Sequence, residues 1–236
     1  VYKYPMFALA NIISMVVTAA MFSGMILTPA YVQSVRGISP LDSGLIMLPG
    51  ALVMGIMSPI TGKLFDKFGP RVLALIGLAI TGYATYLLST MDLETTKTTI
   101  VLMYTLRMFG MSMVMMPIMT NGLNQLPNRL NPHGTAVNNT IQQVVGSIGT
   151  ALFVTLMNSV ATNKGEELVE AAKASNPAQL QDQMFIAGIQ QQALLEGVQV
   201  SFLVAAVVTG VALILALFLK RVDVSKGIAE NMEKNK

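Results

Sequence analysis

The sequence predicts an all-α integral membrane protein, a bundle of six transmembrane helices, on three observations. Hydrophobic residues make up 53% of the 236 and charged residues 11%, less than half of the ~25% charged found in soluble domains. The apolar residues are gathered into blocks near the ~20 residues that carry a helix across a bilayer. A short charged stretch, Gly62-Lys63-Leu64-Phe65-Asp66-Lys67-Phe68-Gly69-Pro70-Arg71, is wedged between two such blocks, 45–60 and 72–88, and leaves room only for a tight reversal.

The first span is expected over 7–27, closing near Pro29, with Asn11, Ser14, Thr18 and Ser23 as its polar exceptions. Asn11 reads either as a hydrogen-bonding contact between helices or as a substrate group. This apolar run is longer than the hydrophobic region of a signal peptide and has no small-residue cleavage site after it. With Val1 in place of methionine, the chain is expected to be cut from a longer protein. Ser39-Pro40-Leu41-Asp42 announces the second span, 39–61: Ser39 as N-cap, Pro40 where its missing N–H costs nothing, and Asp42 at the acidic position of a capping box.

Pro49, Gly50, Gly55, Pro59 and Gly62 predict a kinked, closely packed second helix, because neighbours in a membrane re-satisfy the backbone and small residues let helices approach. Gly62 is expected to end it, and Gly69-Pro70 to cap and restart the chain as the third span, 72–89. The fourth span is placed at 98–121 and the fifth at 135–160. Residues 161–197 form an acidic loop, with Glu166, Glu167, Glu170, Asp182 and Glu196 against Lys164 and Lys173. Two short helices at the membrane surface are expected there, on either side of Asn176-Pro177. The sixth span covers 198–219, and 220–236 is a mixed-charge tail.

Lys63, Asp66, Lys67 and Arg71 make the central turn net positive, and short positive loops stay in the cytoplasm. With that turn inside, the inner segments hold ten basic residues (Lys3, Lys63, Lys67, Arg71, Arg129, Lys220, Arg221, Lys226, Lys234 and Lys236) and the outer ones four (Arg36, Lys97, Lys164 and Lys173). The excess supports this orientation in the cell membrane, with both termini of the segment cytoplasmic and 161–197 outside.

The net charge of +3 comes without a basic run outside the loops and tail, so nucleic-acid binding has no support. Cysteine is absent, which excludes a disulfide framework and a thiolate metal site. The single histidine, His133, lies beside a turn and reads as a solvated loop residue before a proton relay. No metal or cofactor is expected, and no nucleophile–base pair lies at membrane depth to make an enzyme.

Three places carry candidate function. Arg107 falls near the middle of the fourth span, where a charge costs at least ~2.5 kcal/mol on insertion scales and should face the bundle interior. The competing reading is an arginine whose long side chain snorkels to the outer interface. Met111, Met113, Met115, Met116 and Met119 crowd the rest of that helix; methionine lines promiscuous apolar sites and fills gaps equally well. In the fifth span Asn138 with Gln142 and Asn139 with Gln143 are i,i+4 neighbours, so the four amides form a polar stripe. The stripe either bonds to neighbouring helices or lines a wet cavity, because exposure to lipid is costly.

The charged turn, Gly-x-Leu-x-Asp-x-x-Gly-x-Arg, resembles the loop signature of the major facilitator superfamily, found between the second and third helices of each six-helix half. Leu106-Arg107-Met108-Phe109-Gly110-Met111-Ser112 resembles the Arg-x-x-x-Gly signature of the fourth helix of that family's first half, with one residue fewer between the arginine and Gly110. Residues 134–149, Gly-x-Ala-x-Asn-Asn-x-x-Gln-Gln-x-x-Gly-x-x-Gly, and Leu45-Ile46-Met47-Leu48-Pro49-Gly50 resemble drug/proton antiporters of the EmrB/QacA type. The resemblance covers nearly the whole chain, as the C-terminal six helices of a fourteen-span transporter. It implies export of hydrophobic or cationic drug-like molecules driven by proton entry, across a lipid bilayer.

On that resemblance Arg107 gates or couples; Asn138, Asn139, Gln142, Gln143, Met111 and Met115 line the cavity; and Asp66 with Arg71, flanked by Gly62 and Gly69, forms a cytoplasmic latch. Every Asp and Glu is expected in a loop, a cap or the tail, so the coupling proton must be carried by the missing N-terminal half. The rival from another class is a six-helix membrane protein that oligomerises as a pore or a scaffold.

Overall fold

The computed structural model describes residues 5–124, 126–175 and 182–218. Lys3 and the tail 220–236 lie outside them. Among the described residues all regular structure is helical: α1 (Pro5–Ala30), α2 (Pro40–Ser89), α3 (Lys97–Leu123), α4 (Asn131–Ser175) and α5 (Gln183–Ala216). A π-helical turn, Tyr31–Val35, prolongs α1, and a 3-10 turn, Asn128–Leu130, precedes α4. All five helices are long and apolar enough to cross a membrane.

The helix starts follow from local chemistry. Ser39 Oγ accepts from Asp42 N at 3.1 Å and Pro40 opens α2, as the sequence predicts. Thr96 Oγ1 caps α3 through Thr99 N at 3.3 Å, and the Asp182 carboxylate caps α5 through Met184 N at 2.8 Å. Each side-chain oxygen accepts one of the N–H groups that a helix start leaves unpaired.

At 50 residues, α2 would be about 75 Å long if straight, more than twice a hydrocarbon core of ~30 Å. It is not straight, because Gly69 adopts φ 79 and ψ 169 inside it. Gly62, expected to end the second span, is an ordinary helical residue; among the described residues only Gly37 and Gly69 have positive φ. The break therefore falls on one glycine instead of two, and Lys63 to Phe68 remain helical.

The two limbs of α2 run along α3 in opposite senses. Gly50 faces Tyr104 and Met108, and Gly62 faces Met116, so numbers rise together on the first limb. On the second, Thr85 meets Arg107, Thr81 meets Gly110, and Gly77 meets Gly110 and Val114, so one number falls as the other rises. The sequence-predicted second and third spans lie on these two limbs.

The second limb and α3 approach backbone to backbone: a Cβ at Gly77 would lie 2.7 Å from Gly110 O, and one at Gly110 2.8 Å from Gly77 O. Only glycine permits this contact on both sides.

Two apolar clusters fill the bundle. One, at the end of the molecule near Gly69, holds Ile13, Val17, Leu78, Met111, Val114 and Ala212. The other, at the end near Arg36, holds Leu27, Tyr31, Leu88, Ile100, Phe153 and Phe202. Along α1, the second limb of α2, α3 and α5, the buried residues between the clusters include the polar Thr18 and Ser23, Thr81 and Thr85, Arg107, and Thr209, beside the apolar Ala20, Ala84, Tyr104 and Met108. The bundle thus has a polar layer across its middle.

The acidic segment 161–197 is mostly not a loop. In place of two short surface helices, α4 continues to Ser175 and α5 begins at Gln183, so the expected fifth and sixth spans carry on past the Arg36 end of the bundle as a helical hairpin. Gly197 is pressed against Met157 O and Ala161, and Lys164 Nζ pairs with Glu167 at 3.1 Å and Glu196 at 3.6 Å. Asn176-Pro177 lies outside the described residues.

Side chains tie this hairpin and its neighbouring loops to carbonyls at the Arg36 end. Gln191 Nε2 donates to Val35 O and Gln199 Nε2 to Met91 O, both at 2.6 Å. Tyr31 Oη donates to Asp92 O at 2.5 Å, and Arg36 Nη1 donates to Thr95 O at 2.6 Å.

Candidate functional site

The polar layer is built around Arg107. Its side chain is 0% exposed, the largest fully buried side chain among the described residues. That geometry is incompatible with a guanidinium reaching an outer interface. Nε donates to Thr85 Oγ1 at 3.1 Å and Nη2 to Ala20 O at 2.5 Å. Thr85 Oγ1 in turn donates to Thr81 O at 2.7 Å, and Ser23 Oγ donates to the same Ala20 carbonyl at 2.6 Å. One arginine therefore joins α1, the second limb of α2, and α3.

Gly24 makes the space, since a Cβ there would overlap the guanidinium. Among the described residues no carboxylate pairs with Arg107, and Nη1 has no hydrogen-bond partner. The cation is thus held by neutral acceptors alone, an expensive arrangement at depth in a membrane. Gly24, Ala20 and Thr85 were not foreseen; a glycine on the polar face of the first span, one residue after Ser23, is the signal that could have pointed to them.

The four amides of α4 divide between two faces. Asn138 is buried and Gln142 half-buried, with Gln142 Nε2 donating to Ser14 Oγ of α1 at 3.3 Å. Asn139 and Gln143 are exposed, beside Ser147 and the exposed apolar residues Val144, Ile148 and Leu152. Of the most apolar stretch of α4 only 22% is buried, against 50% for α1 and α3, so α4 presents a broad open face that mixes amides with aliphatic groups. Gln142 bonds a neighbouring helix on one side, and Asn139 and Gln143 remain exposed on the other.

Met111, expected to line a cavity, is 1% exposed and packs in the cluster with Val114 and Ile118. Its place is core because its side of α3 faces α1 and the second limb of α2. Met115 is half-buried against the same cluster. Asp66 and Arg71 are exposed on either side of Gly69, and the Lys67 ammonium lies 5.4 Å above the Phe68 ring. The turn, Arg107 and the amides occupy three different places. His133 is exposed in the first turn of α4. Among the described residues no group of three or more His, Asp or Glu side chains could hold a metal ion.

Residues 1–150 match the profile of the Major Facilitator Superfamily. The chain belongs to this family. It is 49% identical over 177 residues to an uncharacterised MFS-type transporter, YhcA, of Bacillus subtilis strain 168, which covers 75% of this chain and 33% of that relative. It is 38% identical over 222 residues to the lincomycin resistance protein LmrB of Listeria monocytogenes, covering 94% of this chain and 44% of the relative. The B. subtilis LmrB is 40% identical over 223 residues, with the same coverage. The superfamily member described here therefore spans less than half the length of the curated relatives it matches, from 28% to 44%.

Proposed function

We propose that this chain is the C-terminal, six-crossing half of a proton-driven drug exporter, with the turn at Gly69 on the cytoplasmic side. The limbs of α2, opposed along α3, supply two of the crossings. The open face of α4, with Asn139 and Gln143 beside aliphatic residues, suits a wall shared with the remainder of the transporter, where a partly polar, partly apolar molecule passes. Relatives named for lincomycin resistance make lincomycin the first substrate to test.

The observation that carries the reading is Arg107, buried between two apolar clusters and joined to three helices through neutral acceptors. A buried cation without a carboxylate is unstable packing material, and a hydrophobic residue would fill the space at less cost. A gating or coupling role accounts for its presence, with the unpartnered Nη1 gaining a partner in another state of the cycle. Every Asp and Glu among the described residues lies at a helix end, in a turn or in the α4–α5 hairpin, so the titrating carboxylate belongs to the remainder of the protein.

Arg107→Lys in the intact transporter tests this. An ammonium cannot reach Thr85 and Ala20 in the fixed directions of the guanidinium fork. Export of lincomycin should fall at least tenfold while the variant reaches the membrane in normal amount. Export at the unmodified rate would overturn the role given to Arg107.

A further inference from the structure

The contact between α1 and α4 has two polar rungs. In the first, Gln142 of α4 donates directly to Ser14 of α1 at 3.3 Å. One turn nearer the Gly69 end, Asn11 and Asn138 take the corresponding positions. Both are at least nine-tenths buried, at 3% and 5% exposure, and each Nδ2 lacks a hydrogen-bond partner among the described residues. Asn11 and Asn138 line a common cavity of about 10 Å³, lined also by Ile118, Met119 and Gly122 of α3.

We propose that this cavity is the binding site of one ordered water molecule, which accepts a hydrogen bond from Nδ2 of both asparagines and completes the second rung.

Size and chemistry select the occupant. The volume matches the ~10–15 Å³ that admits the centre of a single water, and falls far below the ~300–1,000 Å³ of a site for a drug-sized molecule. The cavity as it stands is therefore too small to hold a drug-sized substrate. The unpartnered groups are donors, which disfavours a metal cation. If either amide is turned over it presents Oδ1 instead, and water, unlike an anion, can also donate. The side-chain lengths explain the difference between the rungs: glutamine carries one more methylene than asparagine and spans the helix gap, whereas two asparagines need a bridge.

The test uses the intact transporter, purified in a bilayer mimic. A high-resolution map should show a water within about 3.2 Å of both Nδ2 atoms. A direct contact between the amides, or the absence of any density there, would overturn the site. Stability measurements should agree. Asn11→Leu and Asn138→Leu, each leaving one amide without its bridge, should lower the melting temperature by about 1–2 °C apiece, since the entropy of unfolding grows with chain length, and the double variant by clearly less than the sum. Asn138→Gln, long enough to reach Asn11 directly, should melt close to the unmodified protein. Additive losses would show that the amides share no occupant. Replacing chloride with gluconate should change neither the map nor the melting temperatures, and a chloride dependence would replace the water with an anion. If the leucine variants fail to fold, the map and the anion exchange on the unmodified protein decide.

Discussion

At the scale of single residues, the arginine in the polar layer depends on an atom that is absent from its neighbour. A Cβ at Gly24 would overlap the Arg107 guanidinium, so Gly24→Ala must push it off Ala20 O or separate α1 from α3. Overpacking of this kind costs about 1–3 kcal/mol. It should appear as a lower melting temperature, and the same alanine should be nearly neutral in an Arg107→Met background, because the two positions share one space. Equal costs in both backgrounds would show that the glycine is not there for the arginine.

Asp92 offers a second test at this scale. The Thr95 hydroxyl, then the Glu94 N–H and the Arg36 charge, hold its carboxyl below the ordinary value of 3.8. A depressed carboxylate contributes stability that is fully present above its unfolded pKa and disappears as pH falls through the lowered folded value. The turn between α2 and α3 should therefore loosen only below about pH 4, detectable as faster proteolysis there. Asp92→Asn should remove that pH dependence; an unchanged acid transition would show that the hydrogen bond from Thr95 does not control it.

At the scale of elements, two glycines that look alike in the charged turn have different duties. Gly69, at φ 79 and ψ 169, occupies backbone space that is essentially restricted to glycine, so Gly69→Ala should cost about 1–3 kcal/mol. Gly62 is helical, and a Cβ there would meet only the flexible Met116 Cε at 3.4 Å. Gly62→Ala should be neutral or slightly stabilising, since alanine favours the helix by about 1 kcal/mol. Thermal melts of the two variants read the contrast directly, and equal losses would contradict the single break.

The same comparison shows what the sequence can and cannot reveal. Each of the five described helices contains at least one of the apolar blocks read from the sequence, and the Ser39 cap is legible because it is local chemistry. Which of two glycines takes the reversal is decided by how both limbs settle along α3, information that no local pattern carries. The continuation of α4 through Lys164, Glu166 and Glu167 is similarly hidden. It depends on Gly197 packing against Met157 and on Lys164 meeting Glu196 across the hairpin, contacts between residues more than thirty positions apart. Arg107 was legible as a buried cation because charge at that depth is rare; its neutral acceptors on α1 were not, since a backbone carbonyl leaves no mark in the sequence. The amides were legible as a polar group but not in their division, because adjacent residues on a helix point about 100° apart.

For the molecule as a whole, the placement of charge sets what the chain can do alone. No carboxylate among the described residues lies in the polar layer, where Arg107 keeps its proton at any working pH. Purified and reconstituted in liposomes, the 236-residue chain should move no lincomycin in response to a pH gradient. Gradient-dependent movement abolished by a protonophore would show that it carries its own coupling site.

The two ends of the bundle are fastened differently, and the difference is mechanical. At one end Gln191, Gln199, Tyr31 and Arg36 grip the carbonyls of Val35, Met91, Asp92 and Thr95. At the other, α1 and α4 meet through the Gln142–Ser14 bond and across a cavity of about 10 Å³. α3 has 27 residues and is about 40 Å long, so a tilt of about 5° about the carbonyl-bonded end would move its far end by roughly 3.5 Å, more than the diameter of a water molecule. A rocking motion pivoted at the carbonyl-bonded end would therefore be felt most where the two helices share that cavity.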